Sequence, residues 1–245
     1  MKRTIFKTFF SIVISLMFLS CNYSQKAKKQ VSNTYPKVKI AGAIKNTMLK
    51  GELDGTIELD TISDKNGLYG LGPITYLTGE ILINNGITYI SKVLTDSTML
   101  VEKESKVAAP FFVYGNVNVW KTLALSDSIS NISDLEKFID KQTIKHQKPF
   151  VFKLIGKVNT AKIHIQNSPS VTKVSSPKEA HQGQVNYNLT DEDVEIIGFF
   201  SKVHQGVFTH KGSYLHMHLI TKDESQMGHL DMAEFGEMTL FLPAT

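Results

Sequence analysis

Three histidines near the C-terminal end have the types and spacing of metal ligands. His216 and His218 are separated by one residue within an apolar run. Alternate side chains of a β-strand point to the same face, so both imidazoles could reach one point. The turn-forming stretch Thr221–Gly228 would then bring His229 alongside on a neighbouring strand. Three converging neutral imidazoles make a catalytic-type zinc site with an open fourth position. Ordinary surface or cross-strand histidines are the alternative.

The residues around these histidines resemble the acetolactate decarboxylase family. That family holds its zinc with a His-x-His pair and a third histidine eleven residues later, and His218 and His229 have this spacing. Asp223 and Gly228 stand at the family's positions between them. The resemblance extends over roughly residues 38–243, and it implies that His216, His218 and His229 bind Zn²⁺.

A glycine-rich stretch ahead of Glu80 carries a second part of the resemblance. The run from Gly70 to Gly79-Glu80 is similar to the family's glycines that lead to a Gly-Glu pair. The resemblance implies that Glu80 is catalytic and reaches toward the metal-bound substrate. A solvent-facing position at the start of a strand is the alternative. Pro73 replaces the threonine that the family usually has, so one polar substrate contact is expected to be missing.

His164 stands where the family has an arginine that anchors the substrate carboxylate. Pro149–Ile165 is interpreted as two strands bent at Gly156, similar to a strand–glycine–strand element of the family. Histidine holds an anion only when protonated, whereas arginine is always charged. Lys162 lies on the same strand face and could supply the charge. The alternative is that both side chains face solvent.

The remaining histidines show no metal-ligand spacing. His204 and His210 are expected to be exposed loop residues, and neither His146 nor His181 is assigned a role.

The N-terminal residues predict export and attachment to a membrane. Residues 1–21 resemble a lipoprotein-type signal peptide, because basic residues precede Phe9–Leu19, an apolar segment too short to span a bilayer. Cys21, the only cysteine, is then the lipid attachment site, with a plain signal peptide as the alternative. Residues 22–37 are interpreted as a flexible tether, and residues 38–245 as the decarboxylase-like domain. The expected location is lipid-anchored to a bacterial membrane, periplasmic or at the cell surface.

The charge balance argues against nucleic acid as a partner. Of 27 basic residues three lie in the leader, so 24 face 23 acidic residues in the rest of the 245-residue chain. No basic patch interleaved with aromatic residues is present. The expected partners are a small-molecule 2-hydroxy-3-oxo acid and, through the lipid anchor only, a membrane. The sequence leaves the oligomeric state open, a homodimer included.

The fold class predicted is α/β of the strand-dominated α+β kind. The resemblance implies two β-rich subdomains of mixed and antiparallel sheet with a few helices, and zinc on the C-terminal one. Asn84–Gly86 predicts a tight hairpin turn. Ser133–Lys145 predicts a helix with a capping box between Ser133 and Glu136.

The function implied by the resemblance is decarboxylation of 2-acetolactate (2-hydroxy-2-methyl-3-oxobutanoate) to acetoin and CO₂. Zinc would stabilise the enediolate, and Glu80 would deliver a proton to carbon. The sequence ends soon after Met238–Pro243, whereas the family continues to a second acidic residue, for which Glu234 and Glu237 are the remaining candidates. Two alternatives stay open: a non-catalytic zinc or small-ligand binding lipoprotein, and a decarboxylase of a related 2-hydroxy-3-oxo acid.

Overall fold

The structure is a computed structural model that describes residues 35–144, 149–169 and 173–244. The predicted signal peptide, Cys21, the tether up to residue 34 and His146 lie outside the described residues. No helix among the described residues is long and apolar enough to cross a membrane.

Short helices and many strands follow one another along the described chain. The strands are β1 (Lys39–Ala41), β2 (Ile57–Glu58), β3 (Leu68–Pro73), β4 (Glu80–Asn84), β5 (Ile87–Thr95), β6 (Thr98–Lys103), β7 (Ala108–Ala109), β8 (Phe112–Asn116), β9 (Trp120–Ala124), β10 (Phe150–Ile165), β11 (Val185–Phe200), β12 (Leu215–Thr221) and β13 (Met227–Pro243). The α-helices are α1 (Ile44–Lys50), α2 (Ile132–Gln142) and α3 (Pro177–Ala180), and two 3₁₀ turns cover Leu59–Thr61 and Thr75–Leu77.

Two larger sheets and one two-stranded sheet organise these strands. The first has the order β1-β8-β3-β4-β5-β6, the second β10-β11-β12-β13-β9, and β2 pairs with β7. All pairings between these strands are antiparallel. The prediction of a strand-dominated α+β fold with few helices is therefore confirmed.

The strands β10 to β13 form a closed circuit of hydrogen-bonded pairs. β10 pairs with β11 along one edge and with β13 along the other, while β12 joins β11 to β13. This circuit leaves neither edge of β10 unpaired along most of its length. Because register fixes which side chains share a face, the four strands hold their inward-facing residues in fixed positions.

A hydrophobic core joins the two larger sheets. Tyr69, Leu71 and Leu82 of the first sheet pack in one cluster with Ile197 and Phe199 of the second. A second cluster fills the space between β10–β13 and α2, with Leu135 and Ile139 as buried residues of the helix. Side chains alternate between the two faces of β12, so Met217 and Leu219 pack in the cluster with α2, whereas Ile220 packs in the cluster between the two sheets. His216 and His218, which alternate with Met217 and Leu219, consequently face the six-stranded sheet.

The predicted hairpin is confirmed. β4 ends at Asn84 and β5 begins at Ile87, and the two residues between them have positive φ angles, 49° for Asn85 and 87° for Gly86. A two-residue hairpin turn that matches the right-handed twist of its strands requires a positive φ angle at both central residues. The predicted bend at Gly156 lies within one continuous strand, β10, whose pairing with β13 becomes irregular directly after it.

The helix near residue 133 is present, but its predicted cap is wrong. α2 begins at Ile132, and Asn131 caps it by accepting a hydrogen bond from the backbone N–H of Asp134 at 3.0 Å. Glu136 takes no part in a capping box. Its Oε2 accepts hydrogen bonds from Ser213 Oγ at 2.9 Å and from the backbone N–H of Tyr214 at 2.7 Å. These bonds fasten the helix to the residues directly before β12.

We expect Gly198→Ala to destabilise the fold because β11 crosses Phe152 at van der Waals distance. A Cβ atom on Gly198 would lie 2.2 Å from Cζ of Phe152, whose ring is fully buried. Overpacking of this kind costs about 1–3 kcal/mol, which urea unfolding would measure. Gly115→Ala is the matched control, because the nearest atoms to its Cβ lie at 3.4 Å. Equal stability of the two variants would contradict this account of the packing.

Candidate metal centre

The structure brings the three predicted ligands together. His218 and His229 are directly opposite each other in the β12–β13 register, and His216 lies two residues earlier on the same face of β12. The ring centroids are 5.3 Å apart for His216 and His218, 5.0 Å for His216 and His229, and 5.5 Å for His218 and His229. The predicted chain reversal between Thr221 and Met227 is present, and it places the His229 ring beside those of His216 and His218.

The buried nitrogens of these rings lack well-oriented hydrogen-bond partners among the described residues. This holds for Nδ1 and Nε2 of His218 and for Nδ1 of His216, although the backbone of Ile81 and of Phe208 approaches these two rings. His218 is 0% and His216 3% exposed. Burial, followed by the neighbouring imidazoles, lowers the pKa of all three histidines below the ordinary value, and the pKa of His216 and His218 lies well below it. The rings are therefore neutral near pH 7, the form that binds a metal.

Glu80 lies against this group. It is the first residue of β4, it is 2% exposed, and its Oε1 accepts a hydrogen bond from the backbone N–H of Gln166 at 3.1 Å. Its Oε2 is 3.7 Å from Nε2 of His218. Burial raises the pKa of Glu80 well above its ordinary value, although the bond from Gln166 opposes this shift. The solvent-facing alternative for Glu80 does not fit this position.

His164 faces the same group from β10 and is held by Asp231. Nδ1 of His164 lies 2.9 Å from both carboxylate oxygens of Asp231, and its ring stacks on that of His229 with centroids 4.5 Å apart. Asp231 Oδ1 also lies 3.3 Å from Nδ1 of His229. Partial burial opposes ionisation of Asp231, but the hydrogen bonds from His164 and His229 hold the pKa of its carboxyl well below the usual range. Lys162, the other predicted cation, is half-buried and does not line the cavity described below.

Among the described residues, one group of donor atoms is close enough together to hold a metal ion, and it shares His229 with the predicted set. Donor atoms of His164, His229 and Asp231 lie within 4.8 Å of one another. In that group, however, Nδ1 of His164 is engaged by Asp231, and its Nε2 lies 3.4 Å from Nε2 of Gln166. The set His216, His218 and His229 is the alternative, and its ring centroids lie 5.0 to 5.5 Å apart.

A cavity of about 490 Å³ opens onto this centre, and five of the eight histidines of the chain line it. Two of them, His181 and His210, had been given no role from the sequence. His210 is not an exposed loop residue as predicted: its Nε2 lies 3.3 Å from Nε2 of His229, and burial lowers its pKa to about 4. His181 stands edge-on to His164 with ring centroids 6.5 Å apart.

The sequence analysis did not assign Asp231 or His210 to the site, and only Asp231 has a sequence pattern that could have indicated it. Asp231 lies two residues after His229 on the same strand, so strand alternation predicts that it shares the face of His229. His210 belongs to the irregular segment between β11 and β12, where no periodicity relates it to His216. Only the folded path of that segment places it at the centre.

The comparisons with known proteins point to one family. The model of the family Alpha-acetolactate decarboxylase matches residues 41–244. The alpha-acetolactate decarboxylase of Brevibacillus brevis is 24% identical over 201 residues, which are 80% of this chain and 66% of that protein. The chain thus spans slightly less than two thirds of the length of this curated relative.

Solved structures show the same fold. A Staphylococcus aureus protein of unknown function, described as similar to alpha-acetolactate decarboxylase, superposes with a TM-score of 0.69 at 18% identity over 83% of this chain and 84% of that one. Alpha-acetolactate decarboxylase from Bacillus subtilis strain 168 gives a TM-score of 0.68 at 20% identity, over 85% and 86% of the two chains.

Replacement of His218 and of His164 distinguishes the two donor groups. We expect His218→Ala to weaken zinc binding by at least about tenfold, because losing a ligand should cost no less than losing an outer-shell partner. His164→Ala should keep one zinc per chain. Elemental analysis of protein purified without chelator, with chelator competition, measures both. Retained zinc in His218→Ala together with lost zinc in His164→Ala would assign the metal to His164, His229 and Asp231.

Proposed function

Because the chain belongs to the alpha-acetolactate decarboxylase family, we propose that it is a metal-dependent carboxy-lyase that converts 2-acetolactate into acetoin and CO₂. One observation carries the proposal: a buried glutamate with a raised pKa lies against His218, whose ring is grouped with those of His216 and His229. The names of the matched family and of the Brevibacillus brevis relative support the same reaction class.

Zn²⁺ is the metal that we propose. Imidazole nitrogens suit zinc, and His216, His218 and His229 would supply three protein ligands. When bound, zinc would act as a Lewis acid that stabilises developing negative charge on oxygen. Asp231 would keep Nδ1 of His229 protonated and so direct Nε2 of that ring toward the centre.

Glu80 is the proton donor in this proposal. Loss of CO₂ breaks the carbon–carbon bond and leaves its electron pair in an enediolate, which becomes acetoin when a proton is added to carbon. Burial raises the pKa of Glu80 well above its ordinary value, which favours the protonated form that a general acid needs. The backbone N–H of Gln166 fixes Oε1 of Glu80, which leaves Oε2 directed at the imidazoles.

The substrate carboxylate must be held without arginine. Arg3, in the leader, is the only arginine of the chain, and the cavity lining contains no lysine. We propose that His164 takes this role and donates from Nε2 while Asp231 holds Nδ1. Because the Asp231 carboxylate lies against Nδ1 of His164, the anion would be held by a hydrogen bond from Nε2 next to a negative charge. This weaker anchor and Pro73 favour a related 2-hydroxy-3-oxo acid as the alternative substrate.

Among the described residues of β13, neither candidate for a second catalytic acid lies near Glu80. Glu234 and Glu237 of β13 are both exposed, and neither lines the cavity. The charge of Asp231 acts on Glu80, but Asp231 already contacts His164 and His229.

Acetoin formation by Glu80→Gln tests the proposed proton donor. We expect zinc-loaded wild-type protein to produce acetoin from 2-acetolactate, and Glu80→Gln to lose at least about 100-fold in kcat, the lower range for general acid catalysis. Its zinc content should not change, because Glu80 is proposed as an acid and not as a ligand. Colorimetric acetoin detection and elemental analysis provide the two measurements.

Glu237→Gln is the matched control, since Glu237 is exposed on β13. Equal turnover by Glu80→Gln and wild type would remove Glu80 from the mechanism. Zinc-loaded wild-type protein that releases CO₂ from another 2-hydroxy-3-oxo acid but not from acetolactate would favour the alternative substrate. Bound zinc without any turnover would favour a non-catalytic zinc or small-ligand binding lipoprotein.

We also propose that Cys21 carries a lipid that tethers the exported domain to a bacterial membrane. The support is the short apolar Phe9–Leu19 segment ahead of the only cysteine. Cys21→Ala should move the protein from the membrane fraction to the soluble fraction or block processing. Immunoblots of fractionated cells and mass spectrometry of the mature N-terminus provide the measurement. An unmodified Cys21 thiol in mature wild-type protein would contradict the proposal.

A further inference from the structure

The cavity at the proposed metal centre lies where β12 and β13 separate. The pairing of these two strands stops at His218 and His229, although both strands continue past this pair. Residues of both strands beyond the pair line the cavity, namely Leu215, His216 and Met217 of β12 and Leu230 and Asp231 of β13. The cavity is therefore a split between two neighbouring strands.

A β-bulge in β13 accounts for the split. Leu230 is opposite Ile163 of β10, and Met232 is opposite Lys162, so Asp231 is an extra residue in β13. An extra residue bends its strand and disrupts the local pairing. β13 stays paired with β10 on both sides of Asp231, and the bend begins where its contact with β12 ends. The bulge thus moves β13 away from β12 while β13 keeps its other neighbour.

Backbone hydrogen bonds at the end of β12 show which of its residues direct their N–H groups into the split. The N–H of Lys222 donates to the carbonyl of Asp193 at 2.9 Å, toward β11. The N–H of Thr221 donates to the carbonyl of Gln226 at 2.9 Å, toward β13. Along an antiparallel strand, successive residues bond alternately to the neighbour on one side and on the other. The odd-numbered residues of β12 therefore face β13: Leu215, Met217, Leu219 and Thr221.

Met217 is the residue of this group whose N–H faces the split without a partner strand. The N–H of Leu215 donates to Oγ of Ser213 at 3.0 Å, and Leu219 belongs to the paired part of β12. The register would place Met217 opposite Leu230, but among the described strands the pairing ends one residue earlier. The Met217 N–H is thus a backbone donor that the cavity leaves open to a ligand.

We propose that the backbone N–H of Met217 donates a hydrogen bond to the carboxylate of the substrate. The inference rests on the proposed function and adds a backbone donor to the side chains named there. Met217 lies between His216 and His218, and its own side chain packs in the cluster with α2 on the opposite face. A substrate held at these imidazoles is therefore adjacent to the Met217 backbone.

The carboxylate is the substrate group that most needs such a donor. It is the charged group of a 2-hydroxy-3-oxo acid, and the cavity lining contains neither arginine nor lysine. A backbone N–H that donates to a carboxylate forms a charge-assisted hydrogen bond without requiring a cation. Met217 would share the anion with His164, whose charge is reduced by Asp231 at its Nδ1.

Replacement of Met217 by its α-hydroxy acid analogue tests the inference, because it turns the peptide bond after His216 into an ester. This removes the N–H and keeps the side chain. The probe is 2-hydroxy-2-methylbutanoate, which lacks the 3-oxo group that decarboxylation needs. We expect its Kd for the zinc-loaded protein, measured by isothermal titration calorimetry, to rise about tenfold or more, as for a lost hydrogen bond to a charged group. Acetoin, which has no carboxylate, should bind the ester and the wild type equally.

The same replacement at Leu215 is the matched control, because its N–H points in the same direction but already donates to Ser213. This second ester should lower the melting temperature more than the first and leave the Kd of the acid within about twofold. Equal affinity of the Met217 ester and the wild type for the acid would overturn the inference, and acetoin formation by the wild type would leave the proposed function in place. Equal weakening for the acid and for acetoin would also contradict it, since the N–H would then contact another oxygen. A wild type that neither binds the acid nor forms acetoin would overturn both.

Discussion

The antiparallel register around His229 is the constraint on which the centre depends. His229 of β13 is directly opposite His218 of β12 on one side and His164 of β10 on the other. A shift of one residue in either pairing would turn an imidazole to the opposite face of its strand. Gly228 makes this approach possible, because a Cβ atom there would lie 2.6 Å from the carbonyl oxygen of His164. The closed circuit of β10 to β13 holds both registers at once.

That register buries polar groups, and their burial requires compensation. A buried nitrogen without a hydrogen-bond partner costs about 1–3 kcal/mol, and neither ring nitrogen of His218 makes a hydrogen bond of good geometry among the described residues. A bound ligand or metal would offset such a cost. Gln166, which donates to Glu80 and contacts His164, fixes the surrounding groups. The cost is local, because the apolar cores on either side of β12 remain well packed.

Local sequence patterns predicted the parts of the site that depend on strand alternation and on turns. The one-residue spacing of His216 and His218 and the turn before Met227 were sufficient to bring His229 to the pair. The hairpin after Asn84 was equally visible, because its turn needs residues that tolerate positive φ. The cap of α2 was misplaced because Ser133 and Asn131 are both good cap residues, and propensity alone does not choose between them.

Contacts between residues far apart in the chain were not predictable in this way. His164 and Asp231 are 67 residues apart, and their hydrogen bond exists because β10 and β13 pair. The irregular segment that carries His210 has no period from which its path could be read. The cavity is lined by five histidines and no arginine or lysine, and imidazoles can bind an anion, a proton or a metal according to which is present. Asp231 contacts both His164 and His229, so it lies between the proposed anion anchor and a proposed metal ligand. If both proposals hold, one carboxylate would orient the metal ligand and the anion anchor together, and would couple the metal centre to substrate recognition.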